Sequence, residues 1–177
     1  MKLTKSKFRS LEDLFVMELQ YLYDMESEII KALPKVIKKA TDPDLEESLT
    51  AHLEETKMQA KRLEQAFSQI GEKPKKTKSA AVRGLIADGE DIMGEDPASE
   101  ILDAGIVATC RDIEHFEMAE YMTAIAWAEA LGHEGVVELL QESLEEERGG
   151  DMKLAKGSAA IIERAQESFI GEKEDEG

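Results

Sequence analysis

Residues 110–121 read Cys110-Arg111-Asp112-Ile113-Glu114-His115-Phe116-Glu117-Met118-Ala119-Glu120-Tyr121. The apolar positions Ile106, Cys110, Ile113 and Tyr121 continue into Ala124, Ala128 and Leu131 at steps near three and four. That is the period of a helix with one buried face. At about 100° per residue, Glu117 falls within about 40° of Cys110, Ile113, Tyr121 and Ala124. A carboxylate therefore stands in the middle of a face built for a core. Glu114 lies one turn earlier on the same broad face.

The pattern repeats along the chain. A shift of 91 residues lays Glu26 on Glu117, Leu49 on Leu140, Leu53-Glu54-Glu55 on Leu144-Glu145-Glu146, and Leu63 on Leu154, without a gap. Glu26 and Glu55 are 29 residues apart, as are Glu117 and Glu146. Glu26 sits in a stripe of Phe15, Leu19, Leu22, Ile30, Leu33 and Ile37, which predicts a first long helix over 11–39. Pro34 is expected to kink it or shift its end. Thr41-Asp42-Pro43 is a polar cap followed by a first-turn proline. It opens a second helix with the stripe Leu45, Leu49, Leu53, Ala60, Leu63 and Phe67, stopped by Gly71.

A basic, exposed linker over 72–79 and a short helix over 80–93 lead to the third long helix, from near Pro97 to Leu131. The fourth runs from about Glu134 to Ser168, with the stripe Val136, Leu140, Ser143, Leu154 and Ile161 passing through Glu147. The pair Gly149-Gly150 inside it predicts a bend or a close approach. The fold class expected is all-α. It is a ferritin-like four-helix bundle: two helical hairpins joined by a long crossover that carries a short extra helix. Residues 1–170 form the expected domain, and 171–177 an acidic, disordered tail.

The chain of 177 residues carries 39 acidic and 22 basic side chains, a net charge of −17. That opposes binding to nucleic-acid phosphates. No run approaches the length of apolar sequence a membrane helix needs, and the basic start lacks the apolar run of a secretory signal. A lone cysteine, Cys110, excludes a disulfide framework and a multi-cysteine zinc site. The expectation is a soluble cytoplasmic protein without nucleic-acid or membrane partners.

Carboxylates converging in a core need a compensating charge, and Lys and Arg are nearly absent from the stripes beside these acids. A pair of metal ions supplies it, and carboxylates with imidazole suit iron or manganese. The candidate metal ligands are Glu26, His52, Glu55, Glu114, Glu117, Glu146, Glu147 and Asp151. One of the three acids on the fourth helix is expected to face solvent. His52 is either a ligand or a satisfied core histidine. Tyr23 and Tyr121 either hydrogen-bond a ligand carboxylate or simply pack. Glu54, Glu145, His115 and His133 read as surface or capping groups, and Cys110, Met118 and Met122 as core packing.

The pieces Tyr23-Asp-Met-Glu26, His52-Leu-Glu-Glu55-Thr56, Ile113-Glu-His-Phe-Glu117 and Leu144-Glu-Glu-Glu147 with Asp151 resemble the YciF/YciE-like bacterial stress proteins of the ferritin-like superfamily. The likeness runs from about Ser10 to Ala165. It implies a ferritin-like bundle, a homodimer, a di-iron centre and a link to stress response. Better characterised di-iron relatives such as rubrerythrin carry Glu-x-x-His on the second and fourth helices. Here Met58 stands three residues after Glu55, with His52 before it, and Gly149 or Gly150 stands three after Glu146 or Glu147. A di-iron or di-manganese protein reacting with peroxide or oxygen is the leading functional reading. A non-catalytic metal-binding or structural stress protein is the alternative.

Overall fold

The computed structural model describes residues 8–175, with side-chain surroundings for 8–168. Its elements are α1 (Leu11–Lys39), α2 (Pro43–Gln69), α3 (Ala80–Gly94), α4 (Ser99–Leu131) and α5 (Glu134–Asp175). Among the described residues there is no strand. The hairpins α1/α2 and α4/α5 pack side by side, α1 also meeting α4 and α2 also meeting α5. The four long helices thus enclose one core, with α3 laid over α4 and touching α1. No helix among the described residues is long and apolar enough to cross a membrane.

Local chemistry fixes the helix ends. Ser10 and Asp13 form a reciprocal capping box at the start of α1. Asp42 accepts from the Leu45 amide at 2.9 Å, and Pro43 opens α2 where its missing N–H costs nothing. Gly132, at φ 77°, closes α4 in the left-handed region that a Cβ disfavours. α1 runs through Pro34, which lies on its exposed side, to end at Lys39. The turn between α1 and α2 is tied to α4 by Asp103. Its buried carboxylate accepts from Thr41 N (2.8 Å), Thr41 Oγ1 (2.6 Å) and Asp42 N (2.9 Å).

The crossover is exposed in sequence character yet anchored. Thr77 N and Oγ1 donate to the backbone and side chain of Gln20 at 3.2 and 2.6 Å. Asp24, buried on α1, accepts from Ser79 N at 2.9 Å and from Arg83 at 2.6 Å. These bonds hold the start of α3 against α1.

Several expectations shift. Ile29 rather than Ile30 completes the buried stripe of α1, and Leu53 and Ala60 on α2 are only half-buried. The buried face of α2 passes instead through Thr56, Gln59, Leu63 and Ala66. Met122 is 48% exposed, so it is not core packing. α5 continues to Asp175, past the expected end at Ser168 and through most of the stretch assigned to an acidic tail. A single Gly171 costs a helix only about 1 kcal/mol, and no proline follows it. Residues 176 and 177 lie outside the described residues.

Candidate metal centre

Each long helix brings polar groups to one level of the core. On α1, Glu26 is fully buried between the Leu22 and Ile29 turns. On α2, His52 and the fully buried Gln59 lie two turns apart on one face. α4 supplies Glu114 and Glu117, 2% and 0% exposed, and α5 supplies Glu147, 0% exposed. Ligand atoms of His52, Glu114, Glu117 and Glu147 all lie within 4.8 Å of one another. His52 Nδ1 is 3.6 Å from Glu114 Oε1. Glu26 lies close enough that its charge and those of Glu147 and Glu117 act on one another.

Two neighbours orient these acids. The Tyr121 hydroxyl donates to Glu26 Oε1, and the Gln59 amide donates to Glu147 Oε1. Gly150 makes room for a third. A Cβ there would stand 2.6 Å from Glu114 Oε1 and 2.9 Å from its carboxyl carbon. Only a glycine lets that carboxylate lie against the backbone of α5. Gly149 faces open space, so the close approach expected of the pair belongs to Gly150 alone.

Burial, followed by the charge of Glu147, pushes Glu26 far above the usual carboxylate range. Glu117 rises for the same first reason, with Glu147, Glu26 and Glu114 adding repulsion. Glu114 also rises, through burial and then through its contact with Glu147. Burial and the Glu114 charge hold the Cys110 thiol up to about 12, so Cys110 stays a neutral thiol.

Among the described residues, the buried side-chain oxygens with no hydrogen-bond partner are Glu26 Oε2, Gln59 Oε1, Glu114 Oε2, both Glu117 oxygens and Glu147 Oε2. All of them belong to this cluster. Buried polar atoms are rarely left unpaired, and a multivalent cation answers both the missing partners and the repelling charges. Four carboxylates and one imidazole are a hard, oxygen-rich donor set that fits iron or manganese.

Of the other expected ligands, Glu146 and Asp151 are drawn to other partners, while Glu55 stays beside the site. Glu146 takes a two-pronged bond from Arg62, both N–O distances 2.7 Å, and Glu142 holds the same guanidinium at 2.6 Å. Asp151 is paired with Arg111 at 2.7 Å and His115 at 3.3 Å. Glu55 lies 3.6 Å from Lys153 Nζ at the edge of the site. Tyr23 donates to Glu64 at 2.6 Å rather than to a core acid. Sequence reasoning missed Gln59 and Arg62. His52, Thr56, Gln59 and Leu63 share a face at steps of three and four, a signal hidden by choosing Leu53 and Ala60 for the stripe. Arg62 is buried on α2 and supplies the positive charge thought absent, but gives it to Glu146.

A family model described as a domain of unknown function (DUF892) matches residues 10–167. The chain belongs to the DUF892 family. The DUF892 match spans every residue of the cluster, from Glu26 to Glu147. Protein YciF of Escherichia coli strain K12 is 35% identical over 147 residues, 82% of this chain and 89% of that protein. The crystal structure of YciF, described as a stress protein, matches with a TM-score of 0.85 at 32% identity, over 88% of this chain and 99% of that one. YcfI from Rhodopseudomonas palustris, described as a candidate structural protein, matches with a TM-score of 0.84 at 42% identity, over 86% and 98%. A protein from Xanthomonas campestris shares the fold alone, at 19% identity with a TM-score of 0.71 over 89% of this chain and 99% of that one.

Proposed function

We propose that this protein is a ferritin-like stress-response protein whose bundle holds two iron ions, or two manganese ions, and that the centre reacts with peroxide or oxygen. The observation that carries this reading is the set of unpartnered oxygens on Glu26, Gln59, Glu114, Glu117 and Glu147 inside an otherwise apolar core. Glu26, His52, Glu114, Glu117 and Glu147 are the proposed ligands. Bound there, the metals supply the electrons for reducing an oxidant.

The chain's own residues divide the work. Tyr121 pins one oxygen of Glu26 and leaves Oε2 free, and Gln59 does the same for Glu147. Each of these carboxylates therefore offers one oriented oxygen. Glu117, with neither oxygen held by a protein donor, would be a further ligand. Tyr121 and Gln59 act through the ligands, as outer partners that fix ligand orientation. Glu26, Glu117 and Glu147 are 0% exposed, so bulk water is kept from them. The acids release protons as cations bind, so loading is favoured by rising pH.

Glu26→Ala and Glu117→Ala are expected to strip the metal from the purified protein, and unchanged metal content in both ends the reading. The homodimer and the cytoplasmic location belong to the same proposal, and sedimentation measures the first. The second reading is a non-catalytic metal-binding or structural protein. It is favoured by the absence of histidine from the α5 side of the cluster and by the description of YcfI. Under it, replacing the core acids with apolar residues stabilises a protein that never carried metal.

A further inference from the structure

A cavity of about 60 Å³ adjoins the His52 and Glu114 side of the cluster. Its walls are largely apolar, among them Ile29, Leu33, Leu49, Ile106 and Leu154, with Cys110 and Thr109 beside them. α3 closes it with Ile86 and Met93. α3 can lie this close to α4 because a Cβ on Gly89 would reach 2.8 Å from Thr109 Cγ2, and one on Gly105 2.7 Å from Ile92 Cγ2. The exposed lining residues Lys35, Glu90 and Lys153 mark its solvent side. Two of them are paired with each other, Lys35 to Glu90 at 2.8 Å, and Lys153 lies beside Glu55.

We infer that this chamber admits a small, uncharged, apolar molecule of dioxygen's kind to the His52–Glu114 side of the centre, in preference to hydrogen peroxide. Size argues for it. Apolar cavities of about 150 Å³ hold benzene or xenon, and this one has room for a molecule of only a few heavy atoms. Chemistry argues for it as well. Hydrogen peroxide carries two hydroxyl groups and gives up its water to pass between walls that offer few partners, which is unfavourable. Dioxygen gives up little. Ser48, Thr109 and Glu55 also line it, but of its polar groups His52 and Glu114 are the proposed metal ligands, which an apolar guest meets there. The inference rests on the metal reading of the site, because the guest's destination is that centre.

Xenon, a dioxygen-sized apolar probe, tests the chamber without any metal. Crystals of the metal-free protein under xenon pressure are expected to show one atom between Leu33, Ile86 and Ile106. Ala32→Phe and Ile86→Phe fill the chamber from different helices and are expected to lose it. No xenon in the unmodified protein, or xenon retained in both variants, overturns the chamber. In ferrous-loaded protein, the ratio of the oxidation rate with dioxygen to that with hydrogen peroxide is expected to fall in the folded variants. An unchanged or higher ratio overturns the preference. Protein that binds xenon but takes up no iron overturns the metal reading and the delivery role with it, while the chamber stands.

Discussion

Gly150 gives the sharpest test at the level of single residues. Replacing a helical glycine by alanine normally stabilises by about 1 kcal/mol. Gly149→Ala meets nothing within 4 Å, so it is expected to raise the melting temperature and keep the metal. Gly150→Ala places a Cβ 2.6 Å from Glu114 Oε1. It is expected to weaken metal binding by about tenfold or more, the scale of displaced ligand geometry, measured by competition with a chelator. Equal metal affinity in the two variants removes Glu114 from the ligand set. Residues also mark the limit of what the sequence discloses. Glu26, Glu114 and Glu117 are legible because each interrupts an apolar stripe. Choosing between Glu146 and Glu147 needs Arg62, which sits 84 residues away from Glu146 and draws it aside. No local pattern contains that pairing. Gln59 is neutral and so drew no attention, although its amide orients Glu147.

The helices were readable as elements because their punctuation is chemical. Ser10 with Asp13, Asp42 with Pro43, and Gly132 mark ends that the structure keeps. The end of α5 was not readable, since nothing after Ser168 stops a helix except one glycine. The joints between elements were not readable either, because they depend on distant partners. Asp103 on α4 ties the turn from α1 to α2 with three hydrogen bonds. Asp103→Ala is expected to cost about 2 kcal/mol, one to three lost bonds at about 1 kcal/mol each. Metal content is expected to be unchanged, because Asp103 lies at the end of the bundle and takes no part in the cluster. Chemical denaturation with parallel metal analysis measures both. A cost below about 0.5 kcal/mol, the scale of an ordinary surface change, means that the turn is held by other contacts.

The whole molecule stores the repulsion of its own core, and pH reveals it. Glu18, facing Glu120, is raised from 4.5 to about 8, by burial first and Glu120 next. Glu26, Glu114 and Glu117 are raised as well. An acid whose folded pKa lies above its unfolded value supports the fold fully below the unfolded value, and that support is lost as pH rises through the folded value. Asp151, held low by Arg111, is already ionised in this window. The metal-free protein is therefore expected to lose stability steadily from about pH 5 to pH 8. Metal loading reverses that slope, because the ion binds the ionised acids. Thermal melts across pH with and without ferrous ion check both, and a metal-free protein with no pH slope contradicts the buried-acid account. The central claim is that the acids inside the bundle exist to hold metal. Elemental analysis of protein purified without a tag or chelator tests it most directly. The account predicts about two iron or manganese ions per chain, the loading of ferritin-like di-metal bundles. A metal-free protein that takes up none on ferrous addition contradicts it.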